Sequence, residues 1–90
     1  MNVTPWIVLR DGRVGLIYEL PGHREVSLKS LINLSPVLKE RAQLLAEAYV
    51  QQVGIAGIGA GGKLKPSKQI EALMMSPKFL EALKSFLWIE

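Results

Sequence analysis

Apolar and polar positions alternate with a period of two near the start of the chain, then switch to a helical period after Ser35. Trp6 to Arg10 reads as a strand and Arg13 to Leu20 as its return. Asp11-Gly12 joins them, a favoured two-residue hairpin turn because both central positions need positive φ. Alternation puts Val14, Leu16 and Tyr18 on one side of the return strand and Gly15, Ile17 and Glu19 on the other. Pro21-Gly22 marks the next turn, and Arg24 to Leu28 fits a short third strand. Leu28 to Leu34 fits one helical turn or a loop. Two strands alone are marginal in water, so the hairpin must lie on helices or on another chain.

Ser35-Pro36 is a helix start, a serine N-cap followed by proline at the first helical position. The helix is expected from Pro36 to Val53, with Gly54 as its stop. Leu38, Ala42, Leu45, Tyr49 and Val53 form one apolar stripe; Val37, Leu44 and Ala48 form a second beside it. Only Glu40, Gln43, Glu47 and Gln51 make a clearly polar face. A helix this apolar is buried on two sides or meets a partner. Gly54 to Gly62 follows, built only of glycine, alanine and isoleucine, and then Lys63, Lys65 and Lys68 around Pro66. Ser67 caps a short helix from Lys68 to about Met75, and Ser76-Pro77 caps another from Lys78 to about Trp88. Phe79, Leu80, Leu83, Phe86 and Leu87 give the last helix an apolar face.

These elements predict one α+β domain. A β-hairpin region (residues 1–28) precedes a main helix (35–53), a Gly/Lys-rich loop (54–66) and a C-terminal helical pair (67–90). Ninety residues hold one modest core, yet 49% of them are hydrophobic. The apolar surplus points to an interface with another chain. The absence of cysteine excludes disulfides, thiolate metal sites and a cysteine nucleophile. It favours a cytoplasmic or virion setting over a secreted one, and the N-terminus does not read as a signal peptide. Net charge is +3, and the three clustered lysines account for all of it.

Candidate chemistry is sparse. Gly57 to Lys63 fits the first seven positions of a P-loop, but Leu64 stands where the Mg²⁺-binding Ser or Thr belongs, and the stretch follows a helix instead of a strand. Gly57, Gly59 and Gly62 also spell G-x-G-x-x-G, without room for a dinucleotide fold around it. The uncharged run Ala48 to Gly62 falls short of a membrane span. His23, the single histidine, has Glu25 and Asp11 as its nearest acidic neighbours in sequence and no nucleophile beside it. Asp11 is explained by its turn, and Ser35, Ser67 and Ser76 by helix caps. Of the residues that remain, Glu19, Glu25, Glu40 and Glu47 are the carboxylates a fold could bring together. The depletion argues against an enzyme, and neither a cofactor nor a small-molecule substrate is expected.

The sequence therefore points to a non-catalytic assembly subunit, a homo-oligomer or a piece of a larger complex, with a virion or phage structural component as one setting. Ile55, Ile58, Met74, Met75, Trp88 and Ile89 are its expected interface residues: the first two because the Gly54–Gly62 loop is expected to insert against a neighbour, the others because adjacent apolar side chains on a helix cannot all face one core. The alternative is a small nucleic-acid-binding module, gripping phosphates through Lys63, Lys65 and Lys68 with Arg10 and Arg13, and Arg24 near them.

Overall fold

The Asp11-Gly12 turn closes the hairpin as its chemistry requires, with φ of 53° and 73° at its two central residues. In the computed structural model, which describes residues 2–54 and 62–87, strands β1 (Thr4–Arg10) and β2 (Arg13–Glu19) pair antiparallel from Thr4↔Glu19 to Arg10↔Arg13. Strand β3 (Glu25–Ser27) adds to β2 through Tyr18↔Val26, after a turn in which Gly22 and His23 take positive φ. Leu28–Ser30 then forms a single 3-10 turn.

Strand β4 (Lys63–Leu64) adds to the free side of β1, giving the order β3-β2-β1-β4. The basic segment expected as loop is thus in part a strand: Ile7 pairs with Leu64, Val8 with Lys63, and Leu9 N–H donates to the Gly62 carbonyl at 2.9 Å. Continuing this register would set Pro5 against Pro66. Neither has an N–H to give, so the ladder stops.

Helix α1 (Pro36–Val53) starts on the Ser35 hydroxyl, which accepts from Val37 N–H, and ends at Gly54 with φ of 78°. Helix α2 (Lys68–Met74) starts where the Ser67 hydroxyl accepts from Ile70 N–H. Ser76 differs from expectation before helix α3 (Pro77–Leu87). Its carbonyl accepts from Leu80 N–H, but its hydroxyl turns back and donates to the Leu73 carbonyl at 2.7 Å, closing the end of α2 instead.

The three helices cover one face of the sheet. Ile7, Leu16, Tyr18 and Leu20 from that face meet Ala42, Ala46 and Val50 of α1, Ile70 and Met74 of α2, and Phe79 and Leu83 of α3 in one core. Each fully buried large side chain there contributes about 1.5–3 kcal/mol. Ala42 and Ala46 are both 0% exposed, and their small size lets α1 lie close on β2. Tyr18 ties the layers together: its ring is wholly buried and its hydroxyl donates to the Met74 carbonyl at 2.6 Å. No described helix is long and apolar enough to cross a membrane.

Candidate functional site

Three surfaces hold the residues from which function could come. The first is the sheet face away from the helices. Register places Trp6, Val8 and Arg10 of β1, Gly15, Ile17 and Glu19 of β2, Glu25 of β3 and Lys63 of β4 on it. Val8 and Ile17 are only 4% exposed although no helix covers them. Long polar side chains close over them instead. Lys63 Nζ reaches across the sheet to Glu19 Oε1 at 3.4 Å and Glu25 Oε2 at 3.3 Å, and stands 5.7 Å from the centre of the Trp6 ring. Trp6 Nε1–H donates to Glu19 Oε1 at 2.8 Å, and Arg10 pairs with Glu25 Oε1 at 3.0 Å. The aliphatic stems of Lys63 and Arg10 cover the apolar floor while their charged ends meet carboxylates.

Glu19 and Glu25 are cross-strand neighbours, a like-charge pair that is unfavourable by itself. Lys63 bridges them. Hydrogen bonds from His23, Trp6 and Lys63 hold the Glu19 carboxyl below its ordinary range; Arg10 first, then Lys63, do the same for Glu25. Two carboxylates of the expected four thus converge, but both are kept ionised and partnered, unsuited to general-acid work at neutral pH. His23 Nδ1 lies 3.2 Å from Glu19 Oε2, not beside Glu25 or Asp11 as its sequence neighbourhood suggests, and its side chain is 93% exposed. Among the described residues no group of three or more His, Asp or Glu could hold a metal ion.

The second surface is a groove of about 410 Å³ beside β2, where β3 stops short and α1 passes. Arg10, Arg13, Lys29 and Lys39 stand around it with Glu40, over a floor that includes Gly15 and Leu28. Gln43, expected on the polar face of α1, points into this region and donates to the Val14 carbonyl at 2.7 Å and to Glu47 at 2.9 Å. That bond satisfies an edge carbonyl that β3 does not reach. Arg10 and Arg13 are therefore brought together here, and Arg10 also shares the Glu25 carboxylate with Lys63. Lys65 and Lys68 are exposed, one after β4 and the other opening α2.

The third surface is the outer face of α1. The second apolar stripe of this helix does not enter the core. Val37 is 71% exposed, Leu44 57%, and Ala48 is exposed beside them. Ile32, in the turn leading to α1, is 84% exposed. The interface residues expected from sequence fare differently. Met74 is 0% exposed and packs inside the core, so it is withdrawn as a partner contact. Met75 is half-buried against the same core. The adjacent methionines escape the one-core argument because α2 ends at Met74, and Met75, with φ of −96° and ψ of 7°, is already its C-cap. Ile55, Ile58, Trp88 and Ile89 lie outside the described residues.

Comparison with protein-family models, curated proteins and solved structures finds no match, so a functional reading rests on this chain's own geometry.

Proposed function

We propose that the protein is a non-catalytic assembly subunit that docks through the outer face of α1. The observation that carries this is the placement of Ile32, Val37 and Leu44 in solvent, at 84%, 71% and 57% exposure; among the described residues the one other exposed large apolar side chain is Val53 at the end of α1, at 38%. The outer sheet face, the other broad apolar surface, is already closed by its own Lys63, Arg10, Glu19 and Glu25 side chains. A nucleic-acid reading draws less support, because Lys63 and Arg10, two of its expected phosphate contacts, are engaged by carboxylates.

A photo-crosslinking residue placed at position 44, in the cells that make the protein, tests the reading. The expected result is an adduct of one discrete mass from position 44 and none from Lys84, an exposed position on α3. Absence of any discrete adduct from both position 37 and position 44 would refute it.

A further inference from the structure

We infer that the occupant of the outer face of α1 is a second copy of this chain, paired helix to helix in parallel. The inference rests on the assembly reading above and adds to it the partner and the geometry. An α-helix turns about 100° and rises 1.5 Å per residue. Taking Leu44 as the middle of the solvent face, Val37 and Ala48 lie within about 40° of it. Arg41 stands about 60° to that same side, and Glu40 and Glu47 stand about 40–60° to the other. The face is therefore an apolar strip with a cationic flank and an anionic flank. Arg41 has no carboxylate partner within the chain, and Glu40 has no cationic one, among the described residues.

Two-fold symmetry allows two ways to press this face against its own copy. With the axis along the helices, the pair is parallel and each cationic flank meets the other copy's anionic flank. Arg41 then lies level, within about 1.5 Å along the axis, with Glu40 of the second copy, and this happens twice. Val37 meets Val37 and Leu44 meets Leu44, as at the seam positions of a coiled coil. With the axis across the helices, the pair is antiparallel and like flanks meet. Glu40 then faces Glu47 of the second copy, and Val37 lies over Gln51. The apolar side chains of the face are concentrated in the N-terminal half of α1, next to Ile32, so only the parallel pair stacks them on one another. Charge and apolar placement select the same arrangement.

The contact runs over about 21 Å of helix, from Val37 to Gln51. That places it among small interfaces, below roughly 1,200 Å² in total, so the pair is concentration-dependent.

The chain has no cysteine, so single-cysteine variants report proximity without background. The experiment combines light scattering of the unmodified chain over a wide concentration range with mild oxidation of V37C and L44C. The expected result is a rise from 10.0 kDa toward twice that mass, with disulfide-linked dimers formed by both variants. Position 37 decides the direction, because in an antiparallel pair the two copies of it stand about 21 Å apart. Each single reversal, E40R or R41E, should weaken association at least tenfold, and the double variant should restore it. Crosslinking of L44C without V37C, or tighter association of E40R, would overturn the parallel pair. A mass of one chain at every concentration would overturn self-pairing altogether. In that case a photo-adduct at position 44 heavier or lighter than two chains would leave the assembly reading standing, with a foreign partner.

Discussion

Removing one oxygen atom from Tyr18 should cost this fold a substantial part of its stability. The Tyr18→Phe change keeps the wholly buried ring in place, so neither a cavity nor lost apolar contact enters. What is lost is the 2.6 Å bond to the Met74 carbonyl, which joins the central strand of the sheet to the end of α2. A typical buried hydrogen bond is worth about 1 kcal/mol net, and a carbonyl left unpaired in the interior costs about 1–3 kcal/mol. The expected destabilisation is therefore about 2 kcal/mol. For a domain this size each kcal/mol moves the melting temperature by roughly 4–8 °C, so Tm should fall by roughly 8–16 °C. Urea denaturation followed by circular dichroism measures it. The slope of the transition should not change, because the area exposed on unfolding is the same. A loss below about 0.3 kcal/mol would refute the role given to this hydroxyl, since surface substitutions alone move stability by as much. The same bond has a pH signature. Burial pushes the Tyr18 phenol upward from its ordinary value of 10.0, so the neutral form belongs to the folded state. Its contribution is fully present below pH 10 and is lost as pH rises above it. Phe at this position should flatten that alkaline loss.

Three further outcomes follow from the geometry. Gly62→Ala should lower stability by about 1–3 kcal/mol, because φ is 71° there and the added Cβ would lie 3.1 Å from the Leu9 carbonyl; hydrogen exchange at the Leu9 amide should accelerate more than elsewhere. Acid should open the outer sheet face: Glu19 and Glu25 are held below their ordinary value of 4.5, so their contribution is present above that pH and is lost as pH falls through the lowered folded values. In a Trp88→Phe background, Trp6 fluorescence should report this transition, and Glu19→Gln should make the stability profile shallower as pH falls below 4.5. Ala46→Leu should destabilise by about 1–3 kcal/mol by forcing α1 off β2, measurable by thermal melting, and an unchanged Tm would contradict the close approach of helix and sheet.

The sequence was most legible where one residue type has one local job. Asp11-Gly12 fixed the hairpin, Ser35-Pro36 and Gly54 fixed both ends of α1, and the alternation from Val14 to Tyr18 named the core face of β2. Signals that depend on distant partners were not legible. The sequence places Lys63 in a loop, because nothing near it in sequence reveals the strand it pairs with or the two glutamates it reaches, residues 38 and more positions away. For the same reason no local pattern shows that Val8 and Ile17, on the face without helices, are closed off from solvent. Ser76 carried the right cap residue, but a carbonyl of the preceding helix competes for its hydroxyl. For the candidate interface, the stripe Val37, Leu44 and Ala48 was visible in the helical period. Which of the two stripes stays in solvent depends on where the sheet lies, and no local pattern supplies that.

Pro5, just beyond the end of the β1–β4 ladder, bears on how the chain reaches this fold. The hairpin closes through a two-residue turn, a local event on the microsecond scale. β4 comes from more than fifty residues further on, after a much larger loop has closed. Until then β1 is an outer strand, with Ile7 and Val8 in its middle and open backbone groups ready to pair with another molecule. Pro5 has the same orientation along the strand as Ile7 and Leu9, whose partners lie on the β4 side, so its missing N–H falls on that open side. It removes a donor from the temporary edge and shortens the stretch on which a neighbouring chain could template. Replacing Pro5 with a β-branched residue should therefore leave the finished fold nearly as stable while increasing the fraction lost to aggregation during refolding at high protein concentration.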